Sequence, residues 1–288
     1  MENFLQKAQV VFDKDLWNFK QVMITRPVDK EKIKNAFSKA AATYEEWANV
    51  QNISEERLAA KIEGRNYSNI LEIGCGTGRL TARLATLNPK AKITAIDLAP
   101  AMVKKAQGRL AAYDDERISL LKADGENLPE KILNKAPYDL IISSATFQWF
   151  ADLKKALGVY STILSQKGDI IFSVFGPSTL KELQTALVNA TDRKTALISS
   201  LFPGKEELTA LVTAVFGACQ VEELLIKKEY DTLIELLSSL KYTGVAVPLK
   251  RRPLIRSRKG LARVEQEFLQ RFGAIKVTYQ IFFVTVSR

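Results

Sequence analysis

The stretch Glu72-Ile73-Gly74-Cys75-Gly76-Thr77-Gly78 sets three glycines at alternate positions directly after a short apolar run. Glycines at a strand-to-helix turn adopt backbone angles that other residues resist, and they let the main chain approach a ligand closely. A tight turn with nothing bound would use the same residues, so the glycines alone are a weak signal. Their spacing is G-x-G-x-G, unlike the G-x-G-x-x-G of a pyrophosphate loop. Glu72 precedes the turn, where it would repel a phosphate. Asp97 follows about 20 residues on, where an acid accepts ribose hydroxyls or else caps the helix that Pro100 opens. Asp124 is a third acid, at the end of a later apolar run. Acids around a glycine turn favour a ligand with ribose, an amine and positive charge, and no phosphate.

Composition removes several other chemistries. The chain of 288 residues contains no histidine, which excludes an imidazole base, nucleophile partner or metal ligand. Cys75 and Cys219 are its only cysteines, too few for a Cys-only zinc site or a disulfide framework. No metal is expected. The length allows one large domain or one domain with additions, and 47% hydrophobic residues supply a sizeable core. An excess of 42 Lys and Arg over 32 Asp and Glu leaves +10. That charge suits nucleic acid, a membrane surface, an acidic protein, or no partner at all. No apolar run is long enough to span a membrane. Residues 1–20 interleave Glu2, Asp13 and Asp15 with apolar side chains, unlike a secretion signal. A soluble, cytoplasmic protein is expected.

The elements that must hold these residues follow from periodicity. Residues 1–27 are mildly amphipathic, either a helix laid on the body or a loose tail. Asp29 reads as the N-cap of a helix over 30–42, and a second helical stretch covers 44–62 until Gly64 ends it. From residue 67 the period changes. Strands are predicted at 69–73, 92–97, 118–122, 138–143 and 169–174, with helices at 79–85, 100–111 and 153–163 between them. This alternation predicts a parallel sheet with helices on both faces. Ser178 then reads as the cap of a helix to 190, followed by a helix at 205–216, a strand at 220–230 and a helix at 232–240. A basic loop at 250–259 leads to a helix at 261–272 and a final strand at 275–287. Because a strand closes the chain, the last hundred or so residues are expected to complete the same sheet.

Four segments in order then resemble the motifs of class I S-adenosylmethionine-dependent methyltransferases. They are 71–80, 95–102, the run Ala123-Asp124-Gly125-Glu126-Asn127-Leu128-Pro129, and 138–144, within a resemblance covering 67–176. The resemblance implies a Rossmann-like α/β fold with a mostly parallel seven-stranded sheet and S-adenosylmethionine as cofactor. It implies that Gly74, Gly76 and Gly78 border the methionine part, with Glu72 near the sulfonium. Asp97 would hold the ribose, Leu98 and Met102 flank adenine, Asp124 take the adenine amine and Gly125 offer a backbone contact, with Ser143 at the end of the fourth motif also at the cofactor.

The flanks narrow the resemblance. Residues 36–44, Val50-Gln51, 144–149, 175–183, 239–244 and Val277-Thr278-Tyr279 are similar to the malonyl-[acyl-carrier protein] O-methyltransferases of biotin synthesis. A histidine-containing pattern and an Arg-Phe pair common in that family are missing, with Ser200-Leu201-Phe202 in the pair's place. Residues 1–28 lie outside the resemblance and are set apart as an N-terminal extension of open role, followed by a helical cap (29–66) and a methyltransferase domain (67–288) with a helical insertion at about 177–216. The resemblance implies methylation of the free malonyl carboxylate, with Tyr44 touching the cofactor or closing the site and Gln148 near the methyl group. A cation at Lys241 would orient the carboxylate. The loop at 250–259 would meet an acidic carrier protein, the preferred reading of the charge excess. Neither nucleic acid nor membrane is expected as a partner, and a monomer is expected. The alternatives are a methyltransferase for another small acid or a quinone, and an assembly or hydroxylating factor on the same fold.

Overall fold

The computed structural model describes residues 29–113, 116–191, 197–243 and 258–288. The extension at 1–28 and most of the basic loop lie outside the described residues; Arg258 and Lys259 already belong to a helix.

Helices α1 (Lys30–Ala40), α2 (Tyr44–Trp47) and α3 (Asn49–Ile62) precede the sheet. Asp29 caps α1 by accepting a 3.1 Å hydrogen bond from the Lys32 amide, as its residue type predicts. The single helix expected over 44–62 is broken at Ala48. The break lets Trp47 lie 5.5 Å from the Tyr242 ring while Val50, Gln51 and Ser54 turn inward.

From β1 (Asn69–Ile73) the strands and helices alternate: α4 (Arg79–Leu87), β2 (Lys92–Asp97), α5 (Pro100–Leu110), β3 (Ile118–Lys122), α6 (Glu130–Leu133), β4 (Tyr138–Ser143), α7 (Leu153–Ile163) and β5 (Leu164–Phe175). The chain continues through α8 (Lys181–Thr191), α9 (Lys205–Phe216), β6 (Gln220–Tyr230), α10 (Leu233–Tyr242), α11 (Arg258–Phe272) and β7 (Ile275–Ser287). All seven strands form one sheet in the order β3-β2-β1-β4-β5-β7-β6. The pairings among β1 to β5 are parallel, whereas β7 is antiparallel to both neighbours. The last strands therefore finish the sheet, as expected.

Two boundaries differ from the sequence reading. β5 starts at Leu164, which pairs with Tyr138 across a register shift. α8 begins at Lys181 because Leu180 adopts a left-handed backbone (φ 62°), so Ser178 is not its cap.

Pleating assigns alternate residues of each strand to opposite faces. Ile70 joins the core on one face of the sheet with Leu58, Leu84 and Phe268, whereas Leu71 and Ile73 join Phe147, Tyr160 and Phe172 on the other. The strand order reverses between β1 and β4, and in open α/β sheets such a reversal opens a crevice at the carboxyl ends of the strands. The glycine turn and the loop after β4 line that crevice. No helix among the described residues is long and apolar enough to cross a membrane.

Candidate active site

The turn after β1 is fixed by main-chain bonds. Gly74 and Cys75 both donate to the Ile96 carbonyl, at 2.8 and 2.9 Å, which ties the turn to β2. Gly74 (φ 77°) and Gly76 (φ 53°) are left-handed, a conformation that favours glycine. A Cβ at Gly74 would lie 2.0 Å from Thr146 Oγ1, so the turn is pressed against the loop after β4. Around Gly76 a Cβ would meet nothing within 4 Å, which leaves the backbone open to the cleft. Gly78 has a different task. It lets α4 pack on α5, where a Cβ would meet that of Ala106 at 2.9 Å, and it does not line the cleft.

Asp97 joins the turn to the cleft. Its Oδ2 accepts from the Gly76 amide at 2.9 Å and its Oδ1 from the Ala99 amide at 2.7 Å. Burial raises its pKa to about 6 against the pull of these two donors. Leu98 and Met102 line the cleft beside it.

Glu72 is not where the resemblance implies. It points to the face opposite Ile73, is buried, and accepts a 2.6 Å hydrogen bond from Thr81 Oγ1. Burial pushes it up to about 8. One residue of strand separates it from the cleft, and the pleat turns it away. Glu55 of α3 lies nearby, raised to about 7 by burial although Arg79 Nε stands 3.5 Å from its carboxylate. Glu45 pairs with Arg109 at 2.8 Å and accepts a hydrogen bond from Thr77 Oγ1.

Tyr44 does line the cleft. Burial, with the carboxylates of Glu55, Asp97 and Glu45, holds its phenol far above the ordinary range. It is a hydrogen-bond donor at neutral pH, not a base.

On the adjoining wall, Asp124 and Gly125 follow β3. A Cβ at Gly125 would lie 2.4 Å from Ile73 Cγ2, and its carbonyl accepts from Tyr160 Oη at 2.7 Å. Asp124 is engaged by a residue that sequence reasoning missed. Lys30 Nζ lies 2.5 Å from both Asp124 Oδ2 and Glu126 Oε2. Glu126 in turn accepts from the amides of Ala151 and Asp152.

The loop after β4 forms the remaining wall. Ala145 is left-handed (φ 49°), held by its amide donating to the Ser173 carbonyl at 3.0 Å and by Gln148 Nε2 donating to its carbonyl at 2.7 Å. Gln148 is therefore buried support for the loop and does not line the cleft. Ser143 is likewise structural: its buried hydroxyl donates to the Ile73 carbonyl at 2.8 Å and joins β4 to β1. Trp149 lines the cleft with its ring edge-on to Phe37 (6.0 Å) and Phe202 (5.6 Å). Lys241 is exposed with its ammonium 5.3 Å from the Tyr242 ring centroid, away from the cleft lining. It sits in the last turn of α10, whose buried residues face the core instead.

Residues 65–236 match the family model described as a methyltransferase domain. The chain belongs to the methyltransferase domain family. It is similar to a malonyl-[acyl-carrier protein] O-methyltransferase of Anoxybacillus flavithermus, 34% identical over 92% of this chain and 100% of that one. A protein of the same name from Priestia megaterium is 36% identical over 76% of this chain and 82% of that one. Among solved structures, the YcgJ protein of Bacillus subtilis superposes with a TM-score of 0.57 at 15% identity, covering 81% of this chain and 97% of that one. A Haemonchus contortus N-methyltransferase in complex with S-adenosylhomocysteine reaches 0.51 at 17% identity, over 82% of this chain and 53% of that one. Both likenesses concern the fold.

The residues of this methyltransferase cleft fit S-adenosylmethionine. The open backbone at Gly76 leaves room for a ligand, the Asp97 carboxylate suits ribose hydroxyls, and Leu98 and Met102 offer an apolar wall to a base. The acids that line the cleft, Asp97 and Asp124, favour a ligand with hydroxyls and an amine over a phosphate.

Proposed function

We propose that this chain is an S-adenosylmethionine-dependent carboxyl O-methyltransferase that esterifies the free carboxylate of a malonyl thioester on an acyl carrier protein. The supporting observation is the likeness to the Anoxybacillus flavithermus malonyl-[acyl-carrier protein] O-methyltransferase, which extends over that protein's whole length. In the family the sequence resembles, this ester opens the route to biotin, a cytoplasmic synthesis.

S-adenosylmethionine, when bound, supplies a methyl group on a sulfonium. Asp97 and the Gly76 backbone would hold its ribose and methionine parts, while Leu98, Met102, Asp124 and Gly125 would hold adenine. A free carboxyl titrates near 4, so the nucleophile is already ionised at neutral pH and needs no base. The composition agrees with that economy, since the chain has no histidine and its Tyr44 stays protonated. C-methylation would need a base; Glu72 is turned behind the strand and Tyr44 keeps its proton. Tyr44 instead donates a hydrogen bond that orients the acceptor, a role that Lys241 is too far outside the cleft to fill. Trp149, packed against Phe37, excludes water from the transfer. The +10 charge suits an acidic carrier.

The test is a label-transfer assay with methyl-labelled S-adenosylmethionine. Malonyl carrier protein should be labelled and acetyl carrier protein, which lacks the free carboxylate, should not. Equal labelling of the two would overturn the reading.

A further inference from the structure

Lys30 is the one Lys or Arg among the described residues that line the cleft, and it meets the acid assigned to the adenine amine. Its ammonium bridges Asp124 and Glu126 at 2.5 Å each and lies 5.7 Å from the centroid of the Phe150 ring. Asp124 is already well supplied with donors. The Glu126 amide reaches Oδ1 at 3.0 Å, Asn127 Nδ2 reaches Oδ2 at 3.1 Å, and Lys30 takes Oδ2 as well. Oδ2 thus has both of its lone pairs engaged, and an amine that comes to that oxygen must contend with Asn127 or Lys30. The amide is fixed by the turn after β3, and Asn127 does not line the cleft. Lys30 does line it, and it has a second counter-ion to fall back on. Glu126 stays in place because the Ala151 and Asp152 amides hold its two oxygens at 3.2 and 2.6 Å.

We propose that Lys30 competes with the adenine amine for Asp124 and, when the cofactor arrives, withdraws to Glu126 alone. This rests on the S-adenosylmethionine reading above and adds a positioning residue to it. Lys30 and Asp124 side chains are each 26% exposed, so the pair is a modest, displaceable one. Lys30 opens α1, and Ile33 and Phe37 of the same helix also line the cleft. Phe37 of that helix packs edge-on to Trp149, so Lys30 stands on the element that runs between the adenine end and the acceptor end of the cleft.

The experiment is calorimetry of the full chain with S-adenosylhomocysteine. Removing the competitor in Lys30→Met should tighten binding by about three- to fivefold, the scale of one partly exposed ion pair. Lys30→Arg, which keeps the charge and can still reach both acids, should bind as the parent does. Rising salt should narrow the gap between parent and Lys30→Met, because it screens the pair. Equal or weaker binding by Lys30→Met would overturn the competition while leaving the cofactor reading intact. Failure of the parent to bind S-adenosylhomocysteine at all would overturn the cofactor reading, and the competition with it.

Discussion

On one wall of the cleft, Gly74, Gly76 and Asp97 belong to a single β–α–β unit and are joined by hydrogen bonds that main-chain amides donate, from Gly74 to the Ile96 carbonyl and from Gly76 to the Asp97 carboxylate. On the other, Lys30, Phe37 and Tyr44 come from before β1, Thr146 and Trp149 from after β4, and they meet through side chains. On the backbone wall the room for an added atom is set position by position: none at Gly74, which is pressed on Thr146, and open space at Gly76. A wall made of side chains from several elements tolerates exchange, and differences in acceptor choice belong there.

The comparison is broken most severely at Gly74. Replacing it with alanine forces a Cβ to within 2.0 Å of Thr146 Oγ1 at a φ of 77°. The expected cost is about 3 kcal/mol of stability, from strain and overpacking together. Gly76→Ala has open space around it, so only the strain of its φ remains, about 1 kcal/mol. Thermal unfolding that ranked the two variants equally would remove the distinction between a pressed and an open glycine.

Asp97→Asn comes next, with S-adenosylhomocysteine binding weakened by about 2 kcal/mol, the scale of hydrogen bonds to a charged group. The parent's own pH profile should agree. Its carboxyl is raised to about 6, and ribose hydroxyls donate best to the ionised form. Affinity should fall as pH drops below about 6 and level off above it. In Asp97→Asn that dependence should be missing from calorimetric titrations.

Glu72 gives a smaller effect and the opposite sense. Burial raises it from 4.5 to about 8, so the folded chain holds a proton that the unfolded chain releases in that window. Its contribution is most favourable below about 4.5 and is lost as pH rises towards 8. Glu72→Gln should reduce the fall in stability between those values by about 1 kcal/mol or more, read from denaturant midpoints. An unchanged slope would show that the Thr81 hydrogen bond already compensates the burial.

Lys241→Ala should do least, changing stability by less than about 0.5 kcal/mol and leaving turnover intact. A large loss of turnover would return Lys241 to the acceptor wall.

The backbone-built wall was legible in the sequence for the same reason that it is rigid. Glycine at set spacing and an acid at the end of the next strand are local patterns, and the strand–helix alternation from residue 69 fixes where they stand. What was not legible is the direction of a side chain. Glu72 and Ser143 lie at the right strand ends, yet the pleat sends one towards Thr81 and the other under β1. Gln148 follows the right strand but turns back to hold Ala145. Lys30 left no trace, because its partner Asp124 lies 94 residues away and only folding brings them together. The break at Ala48 and the late start of α8 were hidden similarly, since packing on Tyr242 and the left-handed Leu180 are tertiary facts.

The position of the transferred methyl group tests the whole account most directly. After reaction with methyl-labelled S-adenosylmethionine, the malonyl carrier should be treated with mild alkali and the released label analysed. A methyl ester yields labelled methanol, which is the predicted result for an acceptor that is already ionised beside a Tyr44 that keeps its proton and a Glu72 turned behind the strand. Label that survives alkali because it is bonded to carbon would contradict the carboxyl-methyltransferase reading.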